Sequence, residues 1–173
     1  MCYYNIMRNY AIATTFGRFN LLHKGHVDLF EQMASQANKL VIGLSDGPKN
    51  IPWAFRCHII RQALSHLDVE LEITKCLQPF DHTALVVEME PKNVVFYVGE
   101  DQWKLASAIE RVYGWTTTRI KRLASSTLVR CTIENEDWDI LPTLIPPHIV
   151  KDVIDAYQIE KELNEPTTSE DND

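Results

Sequence analysis

Residues Tyr10-Ala-Ile-Ala-Thr-Thr-Phe16-Gly17 lead straight into Arg18-Phe-Asn-Leu-Leu-His23-Lys24-Gly25-His26. The first run reads as a buried strand that stops at Gly17. After it, Val27, Leu29, Phe30, Met33 and Ala34 recur at helical spacing, which predicts a helix from about residue 24 to 36. The alternation continues downstream. Residues 40–44 read as a strand closed by the turn residues Ser45-Asp-Gly-Pro48, and Pro52 opens a helix carrying Phe55, Ile59, Ile60, Ala63 and Leu64. Residues 69–74 form a strand and 83–90 a helix stopped by Pro91. The wholly apolar run 94–98 is of the kind found in central parallel strands. Residues 103–113 are helical up to Gly114, and 116–121 make the last strand. This order predicts an α/β fold, a single doubly wound parallel sheet with helices on both faces.

In such a sheet ligands bind beyond the carboxyl ends of the strands. The polar loops fall there: Gly17 after the first strand, Ser45-Asp46 after the second, Gly99-Glu-Asp101 after the fourth and Ser125-Ser-Thr127 after the fifth. Two of them start helices and carry complementary chemistry. His23-Lys24-Gly25-His26 offers two imidazoles on one helix face, with Cβ atoms about 5–6 Å apart. Ser125-Ser126-Thr127-Leu-Val-Arg130 offers hydroxyls and a guanidinium. Phosphate oxygens need such partners: backbone N–H groups at helix starts, short donors and fixed positive charge. The pair therefore points to a nucleoside triphosphate, approached closely at Gly25, where no Cβ intervenes.

Gly17-Arg18-Phe19-Asn20, His23-Lys24-Gly25-His26 and Ser125–Arg130 resemble the signatures of the HxGH nucleotidyltransferase superfamily. The resemblance spans roughly residues 10 to 157. It includes the closing pattern Glu136-Asp-Trp-Asp139 and Leu144-Ile-Pro-Pro-His-Ile-Val150, similar to nicotinamide mononucleotide adenylyltransferases. It implies a Rossmann-like fold and transfer of a nucleoside monophosphate from a triphosphate to a phosphorylated acceptor, with release of pyrophosphate. ATP and nicotinamide mononucleotide are the implied substrates. Leu22, where adenylyltransferases usually carry Pro, and Leu-Leu-His-Lys-Gly-His, similar to cytidylyltransferases, keep CTP with a phosphorylated alcohol, or phosphopantetheine with ATP, as alternatives. A non-catalytic nucleotide-binding module is a third, against which the intact His23, His26 and Arg130 speak. Magnesium is expected to arrive on the triphosphate rather than in a protein cage.

The roles that follow name His23, His26 and Arg130 as catalytic. Phe16, Gly17, Arg18, Lys24, Gly99, Asp101, Ser125, Ser126 and Thr127 are expected to bind substrate. The resemblance adds Arg56, near the acceptor, and Trp53, to stack on the pyridine ring, with Trp103 second. Several positions keep a plainer alternative. Ser125 suits an ordinary N-cap, Asp101 suits a cap for the following helix, and Lys121 and Arg122 suit an exposed strand end. A zinc site from His23 and His26 lacks a third ligand in sequence reach.

Composition leaves room for this and narrows the partners. At 173 residues the chain fits one domain. The net charge of −7 disfavours nucleic acid as a partner. Much of that charge lies in Glu160, Glu162, Glu165, Glu170, Asp171 and Asp173. We therefore expect a folded domain over 1–158 and a solvated, disordered acidic tail over 159–173. No run approaches the roughly 20 apolar residues of a membrane span, and the first residues lack the order of a signal peptide. Four scattered cysteines suit free thiols in a reducing compartment, so the cytoplasm is expected. Relatives commonly self-associate; the residues themselves are silent on it.

Overall fold

The computed structural model describes residues 8–121 and 125–165. The chain runs β1 (Tyr10–Gly17), α1 (Lys24–Gln36), β2 (Ala37–Ser45), α2 (Trp53–Ala63), β3 (Glu70–Cys76), α3 (Pro79–Met89) and β4 (Val94–Gly99). A 3-10 turn (Glu100–Gln102), α4 (Trp103–Tyr113), β5 (Thr116–Ile120), α5 (Ser126–Glu134), α6 (Leu141–Leu144), a second 3-10 turn (Pro147–Ile149) and α7 (Val150–Asn164) follow. The strands form one sheet in the order β3-β2-β1-β4-β5, and every pair is parallel.

Period-two alternation divides the strand residues between two apolar layers. Ala13, Leu40, Ile42, Leu44, Ile73, Val95 and Tyr97 pack with Phe30 and Met33 of α1, Ile59 and Ile60 of α2, Val129 of α5 and Val153 of α7. Ile12, Val41, Val94, Phe96 and Val98 pack on the other face with Val86 of α3, Ala106 and Ile109 of α4, and Trp115. Central strands covered on both sides must be apolar at nearly every position, and the run 94–98 is buried throughout.

Three boundaries differ from expectation. β2 begins directly at Ala37, with no turn residue after α1. α3 starts at Pro79 rather than near 83, because Pro suits the first helical position and the Gln78 N–H donates to Asp81 Oδ2 at 3.2 Å. α7 continues through Asn164, so residues 159–164 of the expected tail are helical. Glu160 among them is only 6% exposed. The remainder of the tail from 166, and Arg122, lie outside the described residues.

The one buried histidine of α3 ties three strands together. Gly43 leaves a gap on its face of the sheet, and a Cβ there would lie 2.6 Å from the His82 ring. The ring fills that gap. Thr14 Oγ1 donates to the Val41 carbonyl at 2.7 Å, so toward His82 Nε2, 2.6 Å away, it can only accept. The tautomer is thereby Nε2–H, and Nδ1 accepts from Thr74 Oγ1 at 2.9 Å. Burial pushes the His82 pKa down from 6.5 to about 4. Between those values the unfolded chain takes up a proton that the folded chain refuses, so stability falls as pH falls through that window. The loss is on the order of 3 kcal/mol at 1.36 kcal/mol per unit. Denaturant unfolding followed from pH 7 to 4 should show this component in the wild type and lack it in His82→Gln. Equal pH slopes in the two would contradict the assignment.

Candidate functional site

The strand order reverses between β1 and β4, whose following helices leave toward opposite faces of the sheet. The loops beyond these strands therefore diverge and leave a crevice. It is a cleft of about 530 Å³. Phe16, Gly17, Arg18, Asn20, His23, Gly25 and His26 line one side, Gly99 and Gln102 lie at the end of β4, and Lys121, Ser125, Ser126, Thr127 and Arg130 line the other. Val98, Leu105, Ile120 and Pro79 add apolar wall. Both sequence motifs thus meet across one opening.

His23 is the N-cap residue of α1; its carbonyl accepts from the His26 N–H at 2.9 Å and the Val27 N–H at 3.2 Å. The turn brings the two imidazoles into a stack, with centroids 3.7 Å apart and planes 20° from parallel. Phe19 closes on the pair with its ring 5.0 Å from His26, edge to face. It reaches that place through a left-handed backbone, φ 47°. Its ring then lies over Gly17, where a Cβ would come within 2.8 Å of Phe19 Cε2. Gly17 is therefore required by Phe19 as much as by any ligand.

Across the cleft, Ser125 caps α5 and its Oγ accepts from the Leu128 N–H at 3.2 Å. Ser126 Oγ donates to the Leu21 carbonyl at 3.4 Å, joining the two motif loops. Arg130 makes a two-pronged ion pair with Glu160 of α7, Nε to Oε2 at 2.6 Å and Nη2 to Oε1 at 2.8 Å. Asn20 Nδ2 donates to the same carboxylate at 3.0 Å. Burial alone would raise the Glu160 pKa; the bonds from Arg130 and Asn20 outweigh it and hold it below the ordinary carboxylate value.

Five residues expected to bind substrate, Trp103 as a second choice among them, stand elsewhere. Lys24 does not line the cleft; its Nζ donates to the Pro142 carbonyl at 2.9 Å. Trp53 packs against the core from α2, outside the cleft, and the exposed Trp103 does not line it either. Asp101 is exposed and not part of the lining, whereas its neighbours Gly99 and Gln102 are. Arg56 is 1% exposed and serves the backbone. Its Nε donates to the Ile51 carbonyl at 2.7 Å, and its Nη1 donates to the carbonyls of Arg18 at 2.6 Å and Ser45 at 3.0 Å. It braces the loops after β1 and β2, whose carbonyls have run out of strand partners. Conversely, Asn20, Gln102 and Glu160 were not singled out from the sequence. Asn20 stood inside a quoted motif, but nothing local marks Glu160, which reaches the site from 30 positions beyond Arg130.

The lining offers imidazole, guanidinium, hydroxyl and amide groups, with cationic Arg18, Lys121 and Arg130 around it. Among the described residues no group of three or more His, Cys, Asp or Glu could hold a metal ion. The same residues contain no helix long and apolar enough to cross a membrane.

Solved structures share this architecture. A bifunctional NMN adenylyltransferase/ADP ribose pyrophosphatase from Francisella tularensis superposes with a TM-score of 0.62 at 19% identity, over 86% of this chain and 52% of that one. This chain thus spans about half the length of that relative. The Plasmodium falciparum nicotinic acid mononucleotide adenylyltransferase superposes with a TM-score of 0.63 at 14% identity, over 88% of this chain and 98% of that one. No curated protein sequence matches the chain. The fold is that of the doubly wound α/β nucleotidyltransferases. Residues 14–132 match the cytidylyltransferase-like family, and the chain belongs to it.

The brace made by Arg56 can be checked apart from any activity. Arg56→Met removes the donors of three carbonyl contacts, one buried and two part-buried, and should cost about 3 kcal/mol in denaturant unfolding. A change below about 0.5 kcal/mol, the range of neutral surface substitutions, would contradict the brace.

Proposed function

We propose that this nucleotidyltransferase transfers AMP from ATP to nicotinamide mononucleotide, giving NAD and pyrophosphate. The observation that carries the reading is the stacked His23–His26 pair at the start of α1, facing Ser125–Thr127 and Arg130 across one cleft. An acceptor phosphate oxygen attacks the α-phosphorus in line. The new P–O bond forms as the bond to the β-phosphate's bridging oxygen breaks, and pyrophosphate leaves with its electron pair. Negative charge grows on the α-phosphate oxygens and on the leaving group, so positioning and electrostatic stabilisation supply the rate.

His23 and His26 donate to phosphate oxygens at the reacting phosphorus. The N–H groups at the starts of α1 and α5, with the Thr127 hydroxyl, cradle the triphosphate, while Ser126 holds the Leu21 loop in place beside it. Arg130 meets the β- or γ-phosphate, and Arg18, which lines the same cleft, binds substrate. Magnesium enters with the triphosphate and neutralises its charge; the protein's part is to hold oxygens. The choice of ATP and a pyridine mononucleotide is supported by Gly17-Arg18-Phe19-Asn20 and by the fold shared with the two adenylyltransferases. A cytidylyl transfer is the second reading, favoured by Leu21-Leu22-His23-Lys24-Gly25-His26 and by the family description. Cys57, Cys76 and Cys131 are free thiols, in keeping with a reducing compartment such as the cytoplasm.

The test is pyrophosphate release with magnesium, crossing ATP and CTP against pyridine mononucleotides, glycerol 3-phosphate, phosphocholine and phosphopantetheine. Release with ATP and nicotinamide mononucleotide alone is expected; release only with CTP would replace the first reading by the second. His26→Ala should lower kcat by at least about 100-fold, the scale of a lost donor to a developing oxyanion, with the fold intact by circular dichroism. Near-normal turnover in that variant would remove the site from consideration. Arg130→Ala should act mainly through weaker triphosphate binding, seen as a raised KM for ATP with a smaller change in kcat.

A further inference from the structure

We propose that Glu160 is a positioning residue for the triphosphate: its carboxylate, reaching in from α7, fixes the direction in which Arg130 presents its free N–H edge to phosphate. The inference rests on the functional reading above and adds to it a helix that belongs to neither motif. Three observations carry it. A carboxylate 6% exposed is costly to bury, and this one is met by three N–H donors on two segments, Arg130 Nε, Arg130 Nη2 and Asn20 Nδ2. The guanidinium is a planar fork of five N–H groups. Among the described residues Glu160 takes the Nε–Nη2 edge and leaves both Nη1 hydrogens and one on Nη2 for a ligand. Finally, Arg130 stands on the wall between the main cleft and a second cavity of about 470 Å³, lined also by Arg18, Lys49 and Lys161. A long side chain in that place has room on either side, and the ion pair removes the choice.

Asn20 gives the same carboxylate a second task. It sits in the loop between Phe19 and His23, so Glu160 sets the spacing between the imidazole side of the cleft and the guanidinium side. The other carboxylate near Arg130, Glu134, is engaged by Tyr157 Oη, which donates to its Oε1 at 2.9 Å. Glu160 is therefore the one that makes the two-pronged contact. A phosphate arriving at Arg130 meets a guanidinium already oriented rather than one that must be ordered on binding.

The experiment uses the full chain and magnesium–ATP, with magnesium–CTP alongside, measuring Kd by calorimetry, KM and kcat by pyrophosphate release, and Tm. Glu160→Gln keeps the shape and one acceptor but loses the charge. It is expected to raise Kd and KM for the triphosphate about tenfold with kcat changed less than about twofold, the pattern of lost ground-state positioning. In an Arg130→Ala background the same substitution should have no further effect on Kd. Glu160→Asp, which keeps the charge one methylene short, should fall between wild type and Gln; it carries the same expectation should the Gln variant fail to fold. Tighter binding by Glu160→Gln would overturn the proposal, because Glu160 would then be occupying the phosphate's place. Unchanged Kd with a lowered Tm would overturn it as well, leaving a purely structural ion pair. A wild-type chain that binds neither triphosphate overturns the functional reading and this inference with it. Wild-type binding that ignores Glu160 overturns this inference alone.

Discussion

Two adjacent parallel strands whose helices depart to opposite faces cannot keep their end loops together, and this constraint at β1 and β4 makes the cleft. The strands themselves are among the most apolar parts of the chain, buried on both sides, so the polar chemistry has nowhere to go but their ends. The helix starts at His23 and Ser125 lie there because each helix must turn back along the strand that precedes it. That the first N–H groups of a helix have no carbonyl a full turn back is a consequence of helix geometry, not an added feature.

Where strands end, carbonyls and N–H groups lose their ladder partners, and the molecule meets that loss with long polar side chains. Arg56 answers carbonyls after β1 and β2, the Ser125 side chain accepts the Leu128 N–H, and Ser126 answers the Leu21 carbonyl. The same logic within the sheet explains His82, a neutral imidazole seated over Gly43 between two threonines. Around the site, then, polar groups hold one another as well as any ligand. Arg130 both lines the cleft and is held by Glu160, and the proposed effect of that ion pair on triphosphate binding rests on this double position.

Much of the frame was legible in sequence because its signals are local. The helices at 24–36 and 103–113 follow from apolar spacing and from Gly114, whose φ of 68° ends α4. α3 opens at Pro79, ahead of the start expected near 83, because Pro79 and Asp81 are themselves signals of a helix opening. The two motif loops were also legible, since a glycine turn, paired histidines and a hydroxyl-rich helix start are contiguous patterns. Arg56 and Trp53 were not, because whether a side chain near a loop faces a cleft or a core depends on how a helix rotates over its sheet.

The sequence by itself determined the alternation of strand and helix, the parallel sheet, and the imidazole-bearing and hydroxyl-bearing loops at strand ends, since each is written in periodicity or in adjacent residues. Only the tertiary structure decided which cation is free to meet a ligand. Lys24 went to the Pro142 carbonyl, Arg56 to the loop carbonyls and Arg130 to an edge shared with Glu160. The physical reason is that a charged side chain is claimed by whatever acceptor folding brings within about 3 Å, and that acceptor can come from any distance along the chain.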